Sequence, residues 1–216
     1  MSAPHLRYAG APHDRQVRAL EEITRASPRL MQVLVALRGL DLPDWWIVSG
    51  AIYNSVWNAL TGRADMYGVK DIDLFYFDPD TSFEAEDRVI GRVSAATPGA
   101  PPVETRNQAR VHLWFEAHFG HARAPLASSV EAIGHFASRT HAVALRLEAD
   151  DSLSLHAPYG LDDIFSFRLV PNTAMPSRET HTAKAARQQA LWPELEFVPW
   201  PGDVPAQKSA QKGDQR

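Results

Sequence analysis

Two carboxylates two positions apart are the residues best suited to chemistry in this sequence. Asp71 and Asp73 lie in the segment DIDLFYFD, residues 71–78, which has the apolar and aromatic content of a strand and ends at an Asp-Pro turn. Residues two apart on a strand project from the same face, so the two carboxylates repel each other unless a cation lies between them. Oxygen ligands of this kind suit Mg²⁺ or Mn²⁺.

A third carboxylate would complete such a cluster, and Glu104 is the candidate. It lies between Val103 and Thr105, in a segment that predicts a short strand. Two-metal phosphoryl transfer uses carboxylate clusters to hold ions roughly 3.5–4 Å apart. The sequence therefore predicts that Asp71, Asp73 and Glu104 are both metal ligands and catalytic residues.

The segment before Asp71 supplies a candidate phosphate site. An apolar run at residues 45–48 predicts a buried strand, Ser49 and Gly50 interrupt it, and residues 51–60 have helical spacing that ends at Gly62. Backbone N–H groups in a glycine turn and at a helix N-terminus bind phosphate. An Asp-x-Asp pair alone is also compatible with Asp71 capping a turn and Asp73 facing solvent. The preceding strand, glycine turn and helix favour the site.

The elements that must position these residues alternate along the chain. Helices are predicted near residues 13–27, 28–39, 83–95, 107–119, 128–136, 162–167 and 178–191, and a β-hairpin at residues 141–148 and 152–157. Helices and strands in alternation predict an α/β or α+β class with a small mixed sheet flanked by helices. We expect one domain over residues 13–200, between flexible ends at residues 1–12 and 201–216.

Composition limits the function classes. The chain has 216 residues, 44% of them hydrophobic, no cysteine and a net charge of −4. Without cysteine there is no disulfide framework and no thiolate metal site. The acidic balance argues against binding to bulk nucleic acid. No apolar run is long enough to span a membrane and the first residues do not resemble a signal peptide, so we expect no membrane association and a cytoplasmic location.

The central motifs resemble those of the nucleotidyltransferase superfamily, which includes DNA polymerase β and the CCA-adding tRNA enzymes. A closer resemblance is to an uncharacterised bacterial nucleotidyltransferase-like family, and it covers about residues 45–192. It rests on WIVSGAIYNSVW at residues 46–57, KDID at 70–73, YFD at 76–78, NQARVHLW at 107–114 and PYGLDDIF at 158–165. The resemblance implies a nucleotidyltransferase fold, with helical and hairpin additions after residue 110.

The resemblance also implies roles for individual residues. Asp71, Asp73 and Glu104 would hold the metals, and Ser49, Gly50 and Asn54 would lie near the phosphates. This turn reads Ser-Gly-Ala, whereas the superfamily usually has Gly-Gly or Gly-Ser. Tyr53 and Asn54 also replace an Arg-Asp pair of the CCA-adding enzymes, which removes a cation expected near the triphosphate.

Other residues are candidates to replace that cation or to line the same cleft. Lys70, Asn107 and Arg110 are predicted to bind nucleotide, Arg110 through bidentate contacts to phosphate, while Arg63 and Arg106 are further sources of charge. The pattern favours a packed or capping role for His112 over a base. His118 and His121 are predicted to be surface residues, and Asp162–Asp163 to begin a helix.

The predicted activity is transfer of a nucleoside monophosphate from a nucleoside triphosphate (NTP) to a hydroxyl or phosphate, with release of pyrophosphate. The acceptor is predicted to be a small molecule or a protein side chain. A catalytically silent nucleotide-binding or regulatory module on the same fold is the alternative. The altered turn favours the silent module, whereas the three retained acids favour an enzyme.

Overall fold

The computed structural model describes residues 3–120, 122–175 and 177–203. In chain order the helices and strands are α1 (His13–Arg25), α2 (Pro28–Arg38), β1 (Trp46–Val48), α3 (Gly50–Thr61), β2 (Ile72–Tyr76), α4 (Phe83–Ala96), β3 (Val103–Asn107), α5 (Val111–Phe119), α6 (Ser129–Ile133), β4 (Ala144–Leu147), β5 (Leu153–His156), α7 (Asp162–Phe165), β6 (Arg168–Leu169), α8 (Arg178–Leu191) and β7 (Glu196–Phe197).

Five strands form one mixed sheet in the order β3-β2-β1-β4-β5. β2 and β3 are parallel, and the other neighbouring pairs are antiparallel. This confirms the predicted small mixed sheet flanked by helices. The predicted hairpin is present as β4 and β5, but β4 pairs with β1, so the hairpin belongs to the main sheet and is not an addition to it.

The two faces of β2 have different surroundings. Ile72, Leu74 and Tyr76 are buried and pack in the main core with residues of α1, α2 and α3. The residues between and before them, including Asp71 and Asp73, project from the opposite face, as the alternation of a strand requires. The core therefore fixes the strand, while the other face stays available for polar side chains.

A buried arginine holds the loop that leads into β3. The Arg29 guanidinium donates hydrogen bonds to the backbone carbonyls of Thr97, Pro98, Gly99 and Pro101 at 2.8–3.2 Å. Carbonyl oxygens at these positions have no strand or helix partner of their own, so the guanidinium satisfies groups that burial would otherwise leave unpaired. The loop is fixed just before Glu104.

Helix α8 is anchored against α3 by aromatic packing. The Trp192 ring, next to the end of α8, meets Trp57 at 5.4 Å between centroids, and its indole N–H donates to Asn58 Oδ1 at 3.0 Å. Both rings are fully buried. This contact brings the C-terminal helix to the edge of the sheet that carries the carboxylates.

Some predicted boundaries change. β3 extends through Asn107, so the helix predicted from that residue is wrong at its start; a 3₁₀ turn at Gln108–Arg110 comes before α5. The first residues, predicted to be flexible, contact the domain. The Tyr8 ring packs on Phe165 at 5.5 Å, and the Gly10 N–H donates to Asp162 at 2.7 Å. Residues 204–216 of the predicted tail lie outside the described residues. No described helix has the length and apolar character needed to cross a membrane.

Candidate active site

The parallel pairing of β2 and β3 brings the three predicted carboxylates together. Asp73 lies opposite Glu104 in the register, and Asp71 precedes β2 on the same side. One carboxylate oxygen from each of the three residues lies within 4.8 Å of the others. Asp71 is exposed, and the other two are half-buried. The geometry is that of a compact cluster of oxygen ligands at the edge of the sheet.

Neighbouring cations balance only part of the negative charge in this cluster. Burial, followed by repulsion from Asp71 and Glu104, raises the pKa of Asp73 from an ordinary 3.8 to about 6. An ion pair with Arg106 neutralises part of the charge on Glu104. The remaining negative charge and the oxygen donor set fit a hard divalent cation such as Mg²⁺ or Mn²⁺.

Ser49 lies at the turn that leads from β1 into α3, in a conformation rare for a residue with a side chain. Its φ is +58° and its ψ −115°. A non-glycine residue held at positive φ costs on the order of 1–3 kcal/mol and persists where the surroundings enforce it. Gly50 then begins α3, and no side chain caps that helix, which leaves N–H groups of its first turn available to phosphate.

A buried polar network fixes this turn to α8. The Gln188 side chain donates to the Tyr53 hydroxyl at 2.7 Å and accepts from His141 Nε2 at 2.9 Å. The Tyr53 hydroxyl also interacts with Ser49, and burial raises the pKa of Tyr53, so the phenol stays protonated. Burial lowers the pKa of His141 to about 3, so the imidazole is neutral at physiological pH. The network therefore carries no net charge and acts as a positioning element.

Asn54 and Lys70 are placed differently. Asn54 is buried in the second turn of α3, and its side-chain oxygen has no hydrogen-bond partner among the described residues. Such an atom usually costs free energy unless a ligand or water pairs with it. Lys70 is exposed, immediately before Asp71. Both positions are compatible with the predicted nucleotide contacts.

Asn107 and Arg110 have other partners. The Asn107 side chain accepts from the backbone N–H groups of Asp78 and Ala109 and donates to the Asp78 carbonyl, so it ties the loop after β2 to the end of β3. Arg110 forms an ion pair with Glu86. These contacts give Asn107 and Arg110 structural roles, and the structure provides no support for the prediction that they bind nucleotide.

Lys184 is the candidate that sequence reasoning missed. It lies on α8, half-buried, where its charge interacts with Asp73 and Asp71 across the cleft. Burial lowers its pKa, and the two aspartates oppose that effect. Among the described residues, no carboxylate lies within ion-pair distance of its ammonium group. The helical pattern of α8 predicts a helix but not which neighbour it packs against, so no signal in the sequence links Lys184 to the acids.

The other residues considered from the sequence have different contacts or lie outside the described part of the chain. Arg63 pairs with Glu194 through two contacts, at 2.9 and 3.1 Å. Asp162 accepts from Gly10 and Gln16 and so holds the N-terminal segment. His112 lies in the first turn of α5 with Nδ1 buried and unpaired among the described residues. His121 lies outside the described residues, and the His118 side chain is likewise outside them.

A cavity of about 740 Å³ continues from the carboxylate cluster along the same face of the sheet. Phe75 follows Asp73 on that face of β2, and Arg106 follows Glu104 on that face of β3. Both residues line the cavity, as does Lys184. Its volume is within the range of small-molecule sites in proteins. The cluster therefore lies beside a space large enough for an organic ligand.

Comparisons with known proteins agree with this geometry. A family model described as nucleotidyltransferase matches residues 35–197. A solved structure described as "The NMR structure of the protein reveals a CCA-adding enzyme head domain" is 29% identical, with a TM-score of 0.68 over 85% of this chain and 96% of that chain. A search of curated proteins gave no significant match.

Proposed function

The chain belongs to the nucleotidyltransferase family, and we propose that it transfers a nucleoside monophosphate from an NTP to a small acceptor, with a divalent cation bound by Asp71, Asp73 and Glu104. The observation that carries the proposal is the convergence of these three carboxylates from two strands within 4.8 Å. A silent module has no need of that convergence, and for this reason we favour an enzyme.

The chain supplies the groups that position the NTP. The N–H groups at the start of α3, next to Ser49 and Gly50, face phosphate oxygens, and Asn54 offers its unpaired side-chain oxygen to a ligand hydroxyl. Lys184 supplies the cation that Tyr53 and Asn54 do not, and we assign it to the β- and γ-phosphates. Lys70 is a further, exposed candidate for the same phosphates.

In the reaction, an acceptor oxygen forms a bond to the α-phosphorus while the bond to the β-phosphate oxygen breaks and pyrophosphate leaves. We assign to Glu104 the role of taking the acceptor proton, because its carboxylate belongs to the cluster at which we expect the acceptor oxygen to arrive. Asp71, Asp73 and Glu104 would hold a divalent cation, which would supply charge neutralisation at the reacting oxygens. The protein contributes mainly orientation and fixed charge.

Calorimetric titration with each NTP, with and without Mg²⁺, tests the proposal. We expect wild-type protein to bind at least one NTP in a Mg²⁺-dependent manner, and Asp71→Ala/Asp73→Ala to lose that dependence. Asp87→Ala, which removes an exposed carboxylate on α4, is the matched control and should bind as wild type does. A folded wild-type protein that binds no NTP would contradict the proposal. Metal-dependent binding without pyrophosphate release on any acceptor would support the silent module instead.

A further inference from the structure

The cavity beside the carboxylates extends away from the proposed triphosphate site. Along β2, Asp73 pairs with Val48, next to the Ser49 turn, whereas Phe75 pairs with Trp46, two residues further from that turn. The cavity begins at Phe75. A triphosphate at the turn and a ligand in the cavity would therefore approach the carboxylates from opposite directions.

The lining of the cavity is cationic. Four basic side chains line it, and Glu179 is the one carboxylate among the lining residues that the structure describes. Two of these cations already have carboxylate partners, since Arg106 pairs with Glu104 and Arg178 with Asp203. Lys184, assigned above to the triphosphate, interacts by charge with Asp73 and Asp71. Arg123 is the fourth cation.

Arg123 has no ion-pair partner among the described residues, although it is half-buried. Its guanidinium contacts His135 Nδ1 and lies over the Phe115 ring at 5.1 Å. Glu131 acts on its charge only from beyond ion-pair distance. A guanidinium keeps its charge in proteins, and a half-buried one without an anion loses hydration that an anionic ligand would replace.

Aromatic side chains form another part of the cavity lining. The rings of Phe75 and Phe136 are parallel within 5°, with centroids 6.0 Å apart, and both line the cavity. Aromatic faces of this kind bind apolar or aromatic ligands and provide no partner for a strongly hydrated group. The cavity thus has aromatic side chains and an arginine without an ion-pair partner in its lining, and Phe75 places it next to Asp73 on the same face of β2.

We propose that this cavity binds the acceptor, and that the acceptor is a small organic anion with an aromatic or apolar body. Its anionic group would pair with Arg123, its body would lie against Phe75 and Phe136, and its hydroxyl would reach the carboxylate cluster. The proposal rests on the proposed function, because only a transferase needs an acceptor. In the transfer, the hydroxyl oxygen bonds to the α-phosphorus, its proton passes to Glu104, and pyrophosphate carries away the electrons of the broken bond.

The test uses phenyl phosphate as the probe, with benzyl alcohol and inorganic phosphate for comparison. Binding is measured by ligand-observed NMR on full-length protein saturated with Mg²⁺ and a non-hydrolysable NTP. We expect phenyl phosphate to bind the nucleotide-loaded protein more tightly than either comparison compound. Arg123→Gln should weaken its binding about tenfold, as expected for loss of a charged hydrogen bond, and Arg123→Lys should weaken it less.

Arg92→Gln is the matched control. Arg92 is an exposed arginine on α4 that donates to the Leu40 carbonyl, and its replacement should leave binding of phenyl phosphate unchanged. The proposal is overturned if phenyl phosphate displaces the nucleotide, if it does not bind, or if Arg123→Gln binds it as well as wild type does. In each of these outcomes nucleotide binding by wild type still supports the proposed function, so the two failures are distinguishable.

Discussion

Replacing Asp73 with asparagine is expected to slow nucleotidyl transfer severely and, at the same time, to raise the stability of the folded protein. Asparagine keeps the shape of the side chain but removes a charge from the cluster. Loss of this carboxylate should lower the rate on the order of a hundredfold or more, because a ligand that fixes charge at the reacting phosphate is gone. Pyrophosphate release measures that loss.

The gain in stability follows from the pKa of Asp73, which folding raises from 3.8 to about 6. The folded state binds this proton more tightly than the unfolded state does, so wild-type stability falls as pH rises from about 4 to about 6. The Asp73→Asn side chain does not ionise, so the stability of this variant does not fall in the same way as the pH rises. The difference amounts to at most about 3 kcal/mol above pH 6 and should vanish near pH 4.

Thermal unfolding of both proteins in metal-free buffer, from pH 4 to pH 8, measures this difference. We expect the melting temperature of Asp73→Asn to exceed that of wild type by a few degrees above pH 6. Asp87→Asn, at an exposed position of α4, is the control and should show no such gain. An Asp73→Asn protein that is less stable than wild type at pH 8 would show that the carboxylate has a favourable partner that offsets its burial.

Lys184→Met is expected to weaken NTP binding about tenfold or more, with a smaller effect on the corresponding nucleoside monophosphate. Methionine retains most of the packing of the lysine stem on α8 but removes the ammonium charge. Because Lys184 is assigned to the β- and γ-phosphates, a ligand that lacks them should lose less affinity, as charged hydrogen bonds contribute roughly 1.5–3 kcal/mol. Lys184→Arg should retain much of the NTP affinity.

Lys70→Met provides a direct comparison, since the sequence alone favours Lys70 as a nucleotide ligand. Calorimetric titration of each variant with a non-hydrolysable NTP and with the monophosphate separates the two lysines. A larger loss for Lys70→Met than for Lys184→Met would contradict our assignment of Lys184 and support the prediction that Lys70 is the nucleotide ligand.

The part of the site that the sequence predicts well lies in contiguous segments. Asp71 and Asp73 share one face because a strand alternates with period two, and the buried Ile72 and Leu74 on the other face identify that strand. Glu104 could be proposed because its short strand was recognisable. The pairing of β3 with β2, and hence the register of Asp73 with Glu104, followed only from the fold.

The part that the sequence could not predict depends on tertiary contacts. Lys184 lies near the cluster because Trp192 packs on Trp57 and Gln188 bonds to Tyr53, and helical spacing in α8 contains neither contact. Asn107 was predicted to line the cleft because it follows Glu104 closely in the sequence, and its contacts with Asp78 and Ala109 became visible only in the fold.

Some elements are too short, or too local, for a sequence pattern to predict them. β6 and β7 have two residues each, less than any periodicity can detect. The positive φ of Ser49 is a further example, since serine in a sequence gives no sign of a conformation that glycine usually adopts. In each case the conformation is determined by contacts with other parts of the chain and not by the local sequence.

The most direct test of the central claim is a titration with Mn²⁺, followed by electron paramagnetic resonance, on protein loaded with a non-hydrolysable NTP. We predict that wild-type protein removes more Mn²⁺ from solution than the nucleotide alone does, and that Asp71→Asn/Asp73→Asn does not. Equal Mn²⁺ binding by wild type and the double variant would show that the three carboxylates do not hold the cation, and would contradict the account.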